Sequence, residues 1–566
     1  MTQPLTGSES TELAKSTASH VEGDARPPLL EMTIGALFDE TAARHANQSA
    51  LISRHQDVRW TYGELKERVD ALAVGLVAQG LRPGDRLGIW APNCAEWALV
   101  QFAAAKAGLV LVTINPAYRT SELEYALNKT SCVALVTACS LKTSNYVAML
   151  RELAPELAEA PAGALCAQRL PQLRLVVTLG DELHAGCLPF AALSSGARPD
   201  LPDNLYPEDA INIQFTSGTT GLPKGATLSH RNILNNGYFL GSRIGLTAEE
   251  KVCIPVPLYH CFGMVGGNLA CIAHGATMVY PAETFDPLAV LQAVEAEGCT
   301  ALYGVPTMFI AILNHPDFGK FDLSSLRTGI MAGSPCPISV MREVIDRLHM
   351  REITIAYGMT ETSPVSFQSD RDDPLELRVS TVGRVQPHLE VKIVDTDGKT
   401  VPRREAGELC TRGYSVMLGY WDDPDRTAEA VDCDGWMHTG DLATIDDAGY
   451  CRIVGRIKDM VIRGGENIYP REIEEFLLTH PAVADAQVIG VPDKFYGEEL
   501  CAWIVPKPGA ALTEDDVRAH CCDRIAHFKV PRHICLVEGY PMTVTGKVQK
   551  FAMREEMMRR FGLIKT

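Results

Sequence analysis

The chain has 566 residues, 46% hydrophobic and 22% charged; this is a soluble globular composition, and the length exceeds what one hydrophobic core supports, so two or more domains are expected. The formal net charge of -18, without any basic stripe, argues against nucleic acid as a partner, because a phosphate polyanion would be repelled. No apolar run reaches the length of a transmembrane segment. The 17 cysteines lack a Cys-x-x-Cys pair, fit neither a disulfide framework nor a zinc site, and point to a reducing, cytoplasmic setting in which no cysteine is assigned a role.

Residues 1–28 carry Glu9, Glu12, Glu22 and Asp24, show neither a secretory nor an organelle leader, and read as a loose polar tail. From residue 58 the pattern alternates. Thr61 with Glu64 forms a capping box ahead of a helical face of Val69, Leu72, Ala73 and Leu76 that stops at Gly80. A strand over 87–90, a helix over 95–106, a strand over 109–114, a helix from near Ser121 and a strand over 132–137 follow. Such alternation predicts an α/β fold with parallel sheet and crossover helices. The alternating stretch Ala210-Ile-Asn-Ile-Gln-Phe215 reads as another strand, and Ser229 as the cap of a helix starting at His230.

Between them lies Thr216-Ser-Gly-Thr-Thr-Gly-Leu-Pro-Lys-Gly225, expected to connect strand to helix, where open α/β sheets bind ligands. Gly218, Gly221 and Gly225 free the backbone to turn its N–H groups toward phosphate oxygens. Thr216, Ser217, Thr219 and Thr220 add hydroxyl donors, and Lys224 adds a compensating charge. The spacing matches neither the Gly-x4-Gly-Lys-Ser/Thr loop nor Gly-x-Gly-x-x-Gly. Short strands with Gly and Asp-Gly turns over 380–455, such as Leu389-Glu-Val-Lys-Ile-Val394, predict a small barrel-like β section, and a compact α+β unit follows from 456. There is no internal repeat.

Further stretches are Tyr357-Gly-Met-Thr-Glu361, Gly407-Glu-Leu-Cys-Thr-Arg-Gly413, Gly435-Trp-Met-His-Thr-Gly-Asp441, Gly455-Arg-Ile-Lys-Asp459, Arg463-Gly-Gly-Glu-Asn-Ile-Tyr-Pro470 and Pro541-Met-Thr-Val-Thr-Gly-Lys547. With the glycine loop, they occur in the order in which the adenylate-forming superfamily carries them, and nearly everything after residue 30 resembles its acyl-CoA synthetases. The resemblance implies a large N-terminal domain over 29–457 and a mobile C-terminal lid domain over 458–566, hinged at Lys458. It implies that a carboxylate attacks the ATP α-phosphate, pyrophosphate leaves, and coenzyme A captures the acyl-adenylate.

By the same resemblance Glu361 holds Mg2+, Thr360 hydrogen-bonds the α-phosphate, and Tyr357-Gly358 with Gly333-Ser334-Pro335 holds adenine. Asp441 and Arg456 hold the ribose, and Lys547 binds carboxylate and phosphate oxygens in the first step. Arg463-Gly464-Gly465 receives the pantetheine arm, and close approach of that arm gives the glycines a physical reason. The acyl pocket is expected around His260-Cys-Phe-Gly263, Gly266, Gly267, Val305-Pro-Thr-Met308 and Met359, where small and apolar residues make room for a hydrocarbon chain. His260 reads either as a gate between the nucleotide and acyl compartments or as a packed histidine.

Medium-chain or branched aliphatic acids are the expected substrates, since Gly455-Arg-Ile-Lys differs from the Asp-Arg-Lys-Lys version common in long-chain members. The alternatives are an aryl-acid CoA ligase and a nucleotide-binding protein without turnover. A peptide-synthetase module is disfavoured because no carrier domain precedes the end at Thr566, and a homodimer stays open. Lys550 stands where many relatives have Arg.

Overall fold

The computed structural model describes residues 17–194, 200–216, 223–464, 466–522, 524–543 and 547–563. Its first sheet runs, in spatial order, Leu188–Pro189, Leu175–Thr178, Ala134–Thr137, Arg86–Trp90, Val110–Thr113, Ala210–Thr216, Lys224–Ser229 and Gly419–Tyr420. Neighbours are parallel up to Ala210–Thr216, and the last two strands are antiparallel. Strands such as Val110–Thr113 and Ala134–Thr137 are buried at every residue, as expected for parallel strands covered on both faces.

The second sheet has nine strands, in the order Arg384–Val385, Val365–Gln368, Glu352–Gly358, Thr328–Ala332, Ala301–Gly304, Lys251–Cys253, Thr277–Tyr280, Ser49–Ser53 and Val58–Thr61. Its middle is parallel and its edges antiparallel. The helix Ala95–Lys106 packs against Tyr62–Ala78 and Ile34–Arg44 and is buried on nearly every side, which explains its almost wholly apolar composition. Its one inward amide is satisfied: Gln101 donates to the Met264 carbonyl at 3.1 Å and accepts from Asn268 at 2.8 Å. The capping box forms as expected, with Glu64 N–H donating to Thr61 Oγ1 and Thr61 N–H to Glu64 Oε2.

The β section is an open five-stranded antiparallel sheet of His20–Glu22, Leu389–Val394, Gly407–Gly413, Met437–Ile445 and Cys451–Arg456. Its first strand corrects the reading of a loose tail for the part that the structure describes, from residue 17 on; residues 1–16 lie outside the described residues. Val21 pairs with Val391 and packs on the apolar cluster around Val391, Ile393 and Leu409, so this polar-looking segment gains an edge strand's hydrogen bonds. The last sheet joins Glu466–Ile468, Val461–Arg463, Gly497–Pro506 and Val483–Asp493, with His533–Leu536 parallel to Gly497–Pro506. The helices Pro470–Leu477, Glu514–Cys521 and Lys550–Arg560 complete this region.

A second correction concerns the glycine stretch. It does not run from strand into helix: Lys224-Gly-Ala-Thr-Leu-Ser229 is itself a strand, paired antiparallel with Ala210–Thr216 so that Thr216 lies opposite Lys224. Only then does Ser229 cap the helix His230–Arg243, accepting from Asn232 N–H.

His230 ties this helix to the first one. Its Nδ1 accepts the Ile34 N–H at 3.1 Å, its side chain is fully buried, and burial lowers its pKa to about 4, with Asp209 opposing weakly. Between about pH 4 and 6.5 the unfolded chain therefore binds a proton that the folded chain excludes, so stability falls as pH drops through that window and is insensitive to this group above it. Urea unfolding from pH 7 to pH 4 is expected to show a loss of up to about 3 kcal/mol from this residue, and His230→Gln is expected to flatten that part of the profile. Equal slopes in both proteins would remove His230 as the cause.

Candidate active site

The parallel strands Thr328–Ala332 and Glu352–Gly358 lie side by side, with Ala332 opposite Ala356, so Gly333-Ser334-Pro335 and Tyr357-Gly358 leave adjacent carboxyl ends of the second sheet. This is where open parallel sheets place ligands. Gly333 has φ +90°, a left-handed conformation that glycine adopts without strain, and it is exposed, as are Pro335 and Gly358. Tyr357 is half-buried, and its hydroxyl donates to Asp441 Oδ2 at 2.6 Å. Burial and the Asp441 charge hold that phenol well above its usual pKa.

Asp441 comes from the antiparallel sheet. Its other oxygen, Oδ1, accepts from Arg456 Nε at 2.9 Å across the Asp441–Arg456 strand pair, and its N–H donates to Thr439 Oγ1 at 3.1 Å. The carboxylate is thus buried but held by a phenol and a guanidinium, each on one oxygen.

Glu361 and Thr360 sit in the one-turn 3-10 helix Thr360–Thr362 that follows Tyr357-Gly358-Met359, and both are buried. Glu361 Oε1 accepts from Thr216 Oγ1 at 3.2 Å and from the Tyr420 hydroxyl at 2.8 Å. Tyr420 belongs to the two-residue strand that extends the glycine hairpin, opposite Ala226. Lys224 Nζ stands 3.4 Å from the Tyr420 oxygen and 4.4 Å from its ring centre, within cation–π range. Ser217, Gly218, Thr219, Thr220 and Gly221 lie outside the described residues, as does Gly465.

Lys547 reaches this cluster from the opposite end of the chain. Burial pulls its ammonium below the usual lysine pKa, and its charge interacts with Cys261, Arg456, Glu361 and Asp441. His260 faces the same ammonium. Burial and the Lys547 charge lower its pKa to about 3, and its Nδ1 accepts the Phe262 N–H at 3.2 Å, so the ring is neutral at physiological pH. Cys261 Sγ lies 3.9 Å from Thr360 Oγ1.

The structure thus brings together Thr216, Lys224, Tyr357, Thr360, Glu361, Asp441, Arg456, Lys547 and His260. Arg463 does not join them: it pairs with buried Glu499 and lies over the Tyr496 ring, inside the last sheet, and the Gly464 N–H donates to the Tyr496 carbonyl. Lys458 lies exposed on the short 3-10 segment Ile457–Asp459 between the antiparallel sheet and the last one. Lys550 donates to Glu474 Oε1 at 2.6 Å and to the Val488 carbonyl at 3.1 Å, within that same region.

The segment after His260 is a π-helix, Phe262–Leu269, the rare helix type that recurs at functional sites. Two of its glycines are already pressed by neighbouring atoms. A Cβ on Gly263 would lie 2.3 Å from the Pro257 carbonyl oxygen, and one on Gly267 would lie 3.0 Å from Ile254, so protein atoms already fill the room their small size makes. Tyr420 was not foreseen from the sequence. A lone Tyr after a glycine carries no periodicity, and only the pairing of its short strand aims its hydroxyl at Glu361.

Residues 38–421 match the family described as AMP-binding enzyme, and residues 472–547 match the AMP-binding enzyme C-terminal domain. A relative in Danio rerio, named medium-chain acyl-CoA ligase ACSF2, mitochondrial, is 47% identical over 556 residues, which is 97% of this chain and 92% of that protein. Among solved structures, the anthranilate CoA ligase AuaEII in complex with anthranoyl-AMP superposes with a TM-score of 0.83 at 26% identity over 94% of this chain and 98% of that one. ATP-bound MatB from Rhodopseudomonas palustris superposes with a TM-score of 0.81 at 29% identity, covering 94% of this chain and 100% of that one.

Because Tyr420 supplies a hydroxyl to a buried carboxylate, Tyr420→Phe is expected to lower unfolding stability by about 1–3 kcal/mol while leaving the ring contact with Lys224. Urea denaturation of the two proteins checks this, and an unchanged midpoint would mean that the hydrogen bond contributes nothing net.

Proposed function

We propose that this protein, which belongs to the AMP-binding enzyme family, activates a medium-chain fatty acid as its acyl-adenylate and passes the acyl group to coenzyme A. The enzyme class is an ATP-dependent, AMP-forming acid–thiol ligase. The observation that carries it is the position of Lys547: a lysine from the last sheet's side of the molecule inserts beside two buried carboxylates, Glu361 and Asp441, and the thiol of Cys261.

In the first step a carboxylate oxygen of the fatty acid forms a bond to the ATP α-phosphorus, and the bond to the bridging oxygen breaks to release pyrophosphate. Positioning and charge neutralisation are the main catalytic tasks in such a transfer. Lys547 faces the α-phosphate and the incoming carboxylate. Its poorly hydrated ammonium gains most when negative charge builds on those oxygens, which suits a group whose pKa burial has lowered. Thr360 donates its hydroxyl to the same phosphate. Asp441 accepts from the two ribose hydroxyls with the lone pairs left by Tyr357 and Arg456, and those two fix its carboxylate plane. Adenine lies between Tyr357-Gly358 and Gly333-Ser334-Pro335, and Thr216 with Lys224 faces the phosphates.

The residues fit a magnesium ion: Glu361 offers a hard, buried carboxylate whose Oε1 is already oriented by two hydroxyls. When bound, that ion would neutralise charge on the departing phosphates, and Glu361 would hold it. His260 stays neutral, so it adds no positive charge to compete with Lys547 and can line the boundary between phosphate and acyl chain.

For the second step the C-terminal domain, 458–566, turns about Lys458 relative to 29–457. Lys547 withdraws, and Arg463-Gly464-Gly465 comes to the channel used by the pantetheine thiol, which attacks the acyl carbonyl and releases AMP. The present conformation, with Lys547 in the cleft and Arg463 on Glu499, suits the first step. An aryl-acid substrate is the second reading, favoured by the likeness to AuaEII.

ATP–pyrophosphate exchange over carboxylic acids from acetate to palmitate, with benzoate and anthranilate, separates these readings. Exchange is expected to peak with medium-chain aliphatic acids, and a peak with the aromatic acids would overturn the chain-length assignment. Lys547→Ala is expected to slow exchange by about 100-fold or more while preformed acyl-adenylate still reacts with coenzyme A at a rate close to wild type. Equal loss in both half-reactions would refute the two-conformation assignment.

A further inference from the structure

Away from the cleft, on one face of the antiparallel sheet, the side chains of Glu408, Cys410 and His438 converge, and we propose that they form a binding site for Zn2+ or a divalent cation of similar softness. Cys410 and His438 are direct partners across the strands Gly407–Gly413 and Met437–Ile445. The register then shifts: Glu408 pairs with Leu442, so the second strand advances four positions, from His438 to Leu442, where the first advances two. This bulge tilts His438 toward Glu408 as well as Cys410.

His438 Nδ1 stands 2.9 Å from Glu408 Oε2 and 3.6 Å from Cys410 Sγ, and one ligand atom from each of the three residues lies within 4.8 Å of the others. A tetrahedral zinc with its usual bond lengths has N···S edges of about 3.5 Å and N···O edges of about 3.3 Å, so a cation seats after the ring and the carboxylate part by about 0.4 Å. Thiolate, imidazole and carboxylate together select a borderline-soft transition metal over magnesium or calcium.

The far side of the imidazole supports the assignment. His438 Nε2 faces Asp432 Oδ2 at 3.7 Å, the carboxylate partner that turns a histidine's other nitrogen toward a metal. Glu408 and His438 are half-buried and give an ion a path from solvent, while Cys410 is fully buried behind them. Of the neighbouring cations, Lys392 and Arg412 lie over the Trp436 ring at 4.3 and 4.5 Å and Arg412 also pairs with Glu390, while the Lys392 charge still reaches Cys410 and Asp432. To ligate the cation, Cys410 gives up its thiol proton. Absence of a Cys-x-x-Cys pair hid this set, because sheet pairing, not sequence proximity, joins residues 410 and 438.

The test uses the full chain, treated with chelator and titrated with Co2+. One equivalent is expected to produce thiolate-to-cobalt charge-transfer absorption and visible ligand-field bands, to quench Trp436, which packs on Cys410, and to be displaced by Zn2+. Cys410→Ser is expected to abolish the charge-transfer band, and Asp432→Asn to weaken binding about tenfold. Cys433→Ser, at the exposed neighbouring thiol, is expected to leave it unchanged. Lack of a thiolate band in wild type, or a band that survives Cys410→Ser, overturns the proposal. If Cys410→Ser does not fold, Glu408→Gln combined with His438→Gln carries the same test: loss of the bands supports the site, and retention overturns it.

Discussion

An ammonium that leaves water for a protein cleft loses hydration that only anions can replace, and the centre of this molecule is organised around that deficit at Lys547. Glu361 and Asp441 supply attraction, Arg456 opposes it, and burial outweighs the balance, leaving the lysine below its usual pKa. Such a cation is under-compensated until more negative charge arrives. The carboxylates have the reverse problem, and each solves it with fixed donors: Thr216 and Tyr420 for Glu361, Tyr357 and Arg456 for Asp441. Both anions are therefore oriented before any ligand is present, which is what electrostatic preorganisation requires.

These groups come from four sheets, and their origins divide the labour. The hairpin of the first sheet brings Thr216 and Lys224, the second sheet's carboxyl ends bring Tyr357 to Glu361, the antiparallel sheet brings Asp441 and Arg456, and the last sheet's region brings Lys547. The first three are stitched together by hydrogen bonds between them: Asn232 donates to the Val416 carbonyl, Met417 N–H to the Glu361 carbonyl, and Ser363 Oγ to the Ser415 carbonyl. Lys547 has a different footing, since its N–H donates to Thr543 Oγ1 within its own region. A catalytic cation that must be present in one step and absent in the next is best carried on an element whose local bonds do not depend on the cleft.

Much of this was legible in the chain. Parallel strands bury both faces and so read as unbroken apolar runs, which is why 87–90, 109–114 and 132–137 could be placed to within a residue or two. The site motifs were legible because chemistry restricts residue type. What escaped depends on pairing at a distance. Lys224–Ser229 reads as a loop end because its polar residues suggest one, yet its partner Ala210–Thr216 satisfies its backbone and makes it a strand. His20–Glu22 becomes a strand only because Leu389–Val394 offers an unpaired edge. Tyr420 gains its role from a two-residue strand too short to show any period.

Two of the glycines near His260 have a packing reason for their size. Small residues there suggested room for a hydrocarbon, but the Pro257 carbonyl presses on Gly263 and Ile254 on Gly267, so their size serves the close packing of the π-helix against the preceding chain. If this helix borders the acyl chain, its selectivity then lies in side chains that retain freedom to move. Phe262, half-buried and stacked on Tyr303 with ring centres 5.7 Å apart, is one such group, and the partly buried thioether of Met359 is another. A stacked aromatic floor accepts an aryl ring as well as a methylene chain. Discrimination between them must therefore come from the depth these side chains leave, since a glycine already in van der Waals contact cannot grow or shrink to set it.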